Sequence, residues 1–153
     1  MSRVKVINRV WLKNVDHLIG REVICTEKLD GENTSLFTNH LHARSEDSNH
    51  HDSQGWVRNF HAKIAWKIPE YIQIVGENVY AKHSIYYNRL TTFFYGFTAI
   101  DLKQQCFLSV DATMELFNTL GIEYVPVLYR GSSMNCLKLQ INQLLVTALK
   151  GML

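Results

Sequence analysis

Short runs of β-branched and aromatic residues fill the centre of this sequence, and their brevity points to a folded sheet rather than to a bundle of long helices. Residues 22–28 (EVICTEK) and 32–38 (ENTSLFT) read as strands, with Asp30-Gly31 between them as a strong hairpin signal. Leu41-His42-Ala43-Arg44 is a third short run, and residues 72–80 (IQIVGENVY), 91–102 (TTFFYGFTAIDL) and 124–129 (YVPVLY) continue the series. Helical spacing is confined to the flanks of these runs. Trp56, Phe60 and Ile64 recur at helical intervals, Val57, Ala65 and Ile68 widen the apolar face, and Pro69 stops the helix. Ser109 can cap a helix over 110–120 that carries Val110, Met114 and Phe117 on one face and ends at Gly121. Residues 134–149 also look helical, with Leu137, Ile141, Leu144, Leu145 and Ala148 on one side. The stretch 45–55 (SEDSNHHDSQG) is polar and reads as a surface loop. Central strands with flanking helices make the class α+β.

Composition narrows the possible functions. The 153 residues are 46% hydrophobic, 11% aromatic and 20% charged, which excludes a disordered regulator and suits one domain spanning 1–153. No apolar run approaches the roughly 20 residues that a membrane-spanning helix needs. The basic start Met1-Ser2-Arg3-Val4-Lys5 is followed by no apolar signal core, so no export signal is read. Cys25, Cys106 and Cys136 form no CxxC pair, and the odd count suggests reduced thiols in a cytoplasmic setting. Charge is uneven. Arg3, Lys5, Arg9 and Lys13 face no acid in the first thirteen residues, and Arg130, Lys138 and Lys150 face none in the last thirty. Two basic ends are compatible with a phosphate-rich partner, and equally with solvated surface.

The first residues with chemical promise are Glu27-Lys28-Leu29-Asp30-Gly31-Glu32-Asn33. Lys28 reads either as an exposed lysine at the end of a strand or as a covalent nucleophile. In the second role its amine must lose a proton through burial or neighbouring cations. His40, His42, His50 and His51, with Asp47 and Asp52, are ligand types, but no spacing among them matches a closed zinc site, and a wet loop is the plainer reading.

This sequence resembles the covalent nucleotidyltransferases, the ATP-dependent RNA ligases, DNA ligases and mRNA capping enzymes, and among them most resembles the nick-sealing RNA ligases. Lys28-Leu29-Asp30-Gly31 matches the KxDG motif whose lysine takes AMP from ATP, and Glu27 and Asn33 extend the match. Arg44 fits the arginine that contacts the nucleotide sugar or the end being sealed. Gly76-Glu77-Asn78 fits the glutamate motif, and Tyr80-Ala81-Lys82-His83-Ser84-Ile85 continues the similarity. Phe93-Phe94-Tyr95-Gly96-Phe97 fits the aromatic motif. The resemblance implies an antiparallel-sheet nucleotidyltransferase domain, related to ATP-grasp-like ligase adenylation folds, with flanking helices. It implies ATP and Mg²⁺ as cofactors and RNA ends or a nicked duplex as partner. By it Lys28 is the catalytic residue, Glu27 lies near the adenine, Asp30 orients the amine or the metal or else holds the turn, Asn33 lies near metal, phosphates or the receiving strand, Glu77 at the ribose and Phe97 stacked on the adenine. Each also has a plain structural reading: Arg44 and Glu77 as exposed strand residues, the aromatic run as core.

After Val125-Pro126-Val127-Leu128-Tyr129-Arg130-Gly131 the resemblance fails. The family there has a glutamate-glycine motif and a lysine-rich strand, whereas the last 30 residues here, 124–153, contain no Asp or Glu. The expectation is a ligase domain incomplete at its C-terminus, with feeble adenylation by this chain alone. The alternative is a catalytically inactive nucleotide- or RNA-binding remnant.

Overall fold

The computed structural model describes residues 18–43, 52–81 and 87–133, and the chain divides into two compact units. Unit 2 runs from Glu27 to Pro126, and unit 1 comprises the segments on either side. In unit 1, β1 (Glu22–Thr26) pairs antiparallel with β8 (Val127–Ser132), in a register that sets Cys25 against Tyr129.

Unit 2 holds a six-stranded sheet. The remaining strands are β2 (Glu32–Leu36), β3 (Leu41–Ala43), β4 (Ile72–Asn78), β5 (Phe94–Asp101), β6 (Cys106–Phe107) and β7 (Glu123–Tyr124). The order is β3-β2-β4-β5-β6, all antiparallel, while β7 adds parallel to β5. Helix α1 (Asp52–Ile64) continues as a 3₁₀ turn over Ala65–Lys67, and α2 spans Val110–Leu120. The α+β class and antiparallel sheet match the sequence reading. Among the described residues no helix is long and apolar enough to cross a membrane.

Strand alternation gives the sheet two apolar faces. Leu36, Ile74, Phe94 and Ala99 are fully buried and pack with Val57 and Ile64 of α1 and Phe117 and Leu120 of α2. The opposite face carries a smaller cluster of Leu29, Val79, Tyr95 and Val125, against which Tyr87, Leu90 and Phe97 pack. A Cβ at Gly96 would run into the Phe117 ring, so α2 packs directly on the strand there.

Several expectations need correction. Asp30-Gly31 makes no hairpin, because β1 and β2 belong to different sheets. A two-residue turn of that kind needs a positive φ, and among the described glycines only Gly20, Gly121 and Gly131 have one. The first strand ends at Thr26, so residues 27–30 lie outside regular structure. Of the stretch 45–55, residues 52–55 belong to α1, which starts at Asp52, and the rest lies outside the described residues. The run 124–129 is divided between β7 and β8, because Pro126 has no N–H to donate to a ladder. Strand β6 has no counterpart in the sequence reading. Cys25 is disulfide-bonded, which corrects the expectation of reduced thiols, whereas Cys106 is free and exposed. The helix expected over 134–149 lies outside the described residues, as do both basic ends apart from Arg130.

Candidate functional site

The segment after β1 lies outside any strand ladder and is held by contacts made residue by residue. Glu27 donates its backbone N–H to the Pro126 carbonyl at 2.9 Å. Lys28 is exposed, while Leu29 turns inward at 6% exposure and anchors the segment in the smaller apolar cluster. Asp30 donates its N–H to the Tyr87 hydroxyl oxygen at 2.7 Å. Gly31 donates its N–H to Glu77 Oε1 at 3.0 Å. A Cβ on Gly31 would collide with the Asn78 backbone carbonyl and the Val79 side chain, so only glycine lets the loop lie this close to β4.

The sheet register brings the other candidates beside this loop. Asn33 on β2 is directly opposite Glu77 on β4, and Glu77 is opposite Tyr95 on β5. The three therefore form a row on the face that carries Leu29 and Val79. Phe97 lies on the same face, at the bulge where the β4–β5 register shifts, and is half-buried against the smaller cluster. Of the aromatic run Phe93–Phe97, Phe94 and Tyr95 are core and Phe93 is exposed. On the other face Glu32 accepts a hydrogen bond from the buried Gln54 of α1 at 2.6 Å, which ties β2 to the helix.

Glu27, Asp30 and Glu77 converge electrostatically. All three raise the pKa of Tyr87, whose hydroxyl is pushed above its ordinary value chiefly by burial, while the Asp30 backbone bond opposes the shift. A cleft of about 240 Å³ opens next to the loop, lined by Glu27, Leu29, Tyr87, Arg89, Leu90 and Tyr95 among others.

The structure thus brings Glu27, Lys28, Asp30, Asn33, Glu77 and Phe97 into one unit, within the strands and loop around β4. Arg44 and most of the Tyr80–Ile85 stretch lie outside the described residues. Among the described residues no three His, Cys, Asp or Glu side chains gather as a metal cage. Asp47, His50 and His51 lie outside the described residues, while His40 stacks on Phe37 with ring centroids 4.2 Å apart and buried His61 hydrogen-bonds to the Phe37 carbonyl oxygen at 2.6 Å. Tyr87 and the cleft have no signal in the sequence. A contact across 57 positions leaves no local pattern, and the matched motif stops two residues before it.

A family model of RNA ligases matches residues 21–151. The chain belongs to the RNA ligase family. Solved structures of an RNA ligase from Naegleria gruberi share the fold. The form with PPi is 19% identical, with a TM-score of 0.55 over 76% of this chain and 39% of that one. A mutant with AMP and Mn is 20% identical with a TM-score of 0.57, and an apo mutant is 20% identical with 0.56, both at the same coverages of 76% and 39%. This RNA ligase family chain therefore spans about two-fifths of the length of those structures. No curated protein matches it.

Proposed function

We propose that residues 1–153 form an RNA ligase nucleotidyltransferase domain that takes AMP from ATP onto Lys28 and delivers it to an RNA end. The observation that carries this reading is the Gly31 N–H bond to Glu77 Oε1 at 3.0 Å, which joins the lysine loop to the strand of the second motif. Family membership and the Naegleria structure with AMP and Mn support a nucleotide and a divalent metal as the natural ligands.

In this reading Lys28, exposed on its loop, gives up a proton to solvent and its Nζ attacks the α-phosphorus of ATP. A P–N bond forms, the P–O bond to pyrophosphate breaks, and the amine proton leaves to solvent. Glu77 binds the ribose hydroxyls with the carboxylate oxygen that Gly31 does not use. Phe97 presents the ring face that the adenine stacks on, and Glu27 borders the base. Asp30 and Asn33 supply the oxygen atoms that would hold Mg²⁺. The lack of a three-ligand cluster among the described residues fits a metal that keeps its waters and takes phosphate oxygens as ligands. Bound Mg²⁺ supplies neutralisation of phosphate charge. AMP then passes to an RNA 5′-phosphate, and a 3′-hydroxyl displaces it to seal the strand, as in a nicked duplex.

Incubation with ATP and Mg²⁺ followed by intact-mass spectrometry tests this. The expected result is one added AMP in the wild type and none in Lys28→Ala. An adduct that survives Lys28→Ala sinks the assignment. Absence of any adduct, with RNA binding that weakens as salt rises, would instead make the chain a binding remnant.

A further inference from the structure

The loop that carries Lys28 has no ladder to hold it, yet its two following amides are both bonded to side chains from far along the sequence. We propose that Tyr87 is a positioning residue: its hydroxyl oxygen fixes the backbone of the Lys28–Gly31 loop and thereby sets the direction in which the Lys28 amine is presented. The proposal rests on the nucleotidyl-transfer reading of Lys28.

Three observations support it. Asp30 N–H to Tyr87 Oη is 2.7 Å, and the adjacent Gly31 N–H to Glu77 Oε1 is 3.0 Å, so two consecutive peptide groups are clamped from two different segments. The clamp is anchored upstream by the Glu27–Pro126 backbone bond and by buried Leu29, which leaves the exposed Lys28 side chain as the free arm of an otherwise fixed loop. The Tyr87 ring packs on the cluster of Leu29, Val79, Tyr95 and Val125, so the position of its hydroxyl is dictated by the same core that seats Leu29. Burial and the nearby Glu27, Asp30 and Glu77 carboxylates keep the phenol protonated. Its oxygen therefore accepts from Asp30 while its proton remains available to a carboxylate. Reaction rates are sensitive to such placement, since a displacement of about 1 Å can cost on the order of a hundredfold. Glu77 acquires a second duty beside the ribose, because the carboxylate facing the sugar is also the acceptor for Gly31.

Tyr87→Phe in the full chain keeps the ring and deletes both hydrogen-bonding functions. Amide exchange by NMR is expected to accelerate at Asp30 by at least about tenfold, with a smaller change at Gly31. Single-turnover AMP transfer to Lys28 is expected to slow by about tenfold or more, with the KM for ATP within about twofold of wild type. Unchanged exchange at Asp30, an unchanged transfer rate, or a rate loss matched by an equal rise in KM would overturn the proposal. If the wild type forms no AMP adduct, the functional reading has failed, and the clamp is judged on its own. Acetic anhydride labelling of Lys28 is then compared with labelling of exposed Lys103. A Lys28:Lys103 ratio altered at least about twofold by Tyr87→Phe, together with faster Asp30 exchange, upholds the clamp, and an unaltered ratio refutes it.

Discussion

Gly31 is held to its identity by space. Its missing side chain would occupy the position of the Asn78 carbonyl, a backbone atom that cannot swing away. Gly31→Ala is therefore expected to cost about 1–3 kcal/mol, the usual range for forced overpacking. A thermal melt would register it as a drop of several degrees. Gly55, in the first turn of α1, has nothing within 4 Å of an added Cβ, so Gly55→Ala is expected to stabilise by about 0.5–1 kcal/mol in the same assay. The tyrosines make an alkaline prediction. Burial raises Tyr87 and Tyr124 above the ordinary value of 10.0. A group whose folded pKa is raised contributes stability that is complete below its unfolded pKa and is lost as pH climbs through the folded one. Stability measured by urea titration is thus expected to fall above about pH 10, and less steeply in Tyr124→Phe. At this scale the sequence is readable where a motif is contiguous, as at Lys28-Leu29-Asp30-Gly31. It misleads on why Gly31 is glycine, because turn chemistry and close approach leave the same letter. Tyr87 is illegible, since its relevance is to an amide 57 positions away.

Elements set by neighbouring residues are legible. Helix α2 begins and ends where expected: Ser109 Oγ accepts the Ala112 N–H at 3.2 Å, and Gly121 closes the helix at φ 71°. Removing that cap by Ser109→Ala is expected to cost about 1 kcal/mol, visible as a lowered denaturation midpoint with an unchanged m-value. The inward face of α2 is only partly as expected, because Thr113, Phe117 and Leu120 are the buried residues, while Val110 and Met114 are half-exposed. Pairing partners are a different problem. Local pattern sets β1 beside the nearest strand in sequence, yet it pairs with β8, more than a hundred positions on. Nothing in EVICTEK distinguishes the two, since an antiparallel partner is chosen by the whole topology. The same limit explains β6 and β7, two-residue strands that exist only because β5 offers them an edge.

At the scale of the molecule, among the described residues both apolar clusters are built from residues 27–126. That segment is expected to fold without the flanking segments. Expressed alone, it should show one cooperative thermal transition by circular dichroism, and a non-cooperative melt would refute this. Phe117→Ala, which empties a ring at 1% exposure, is expected to lower the stability of the same fragment by about 3–5 kcal/mol. The two ends of the segment meet, because the Glu27 N–H is bonded to the Pro126 carbonyl at 2.9 Å. A polypeptide whose ends are one hydrogen bond apart can be sewn into a ring. A few residues joining Pro126 to Glu27, with new termini opened in the exposed Lys103–Gln105 turn, would give a circular permutant in which every strand of the six-stranded sheet keeps its neighbours. In such a molecule Lys28 would be the second residue after the splice, far from either loose end.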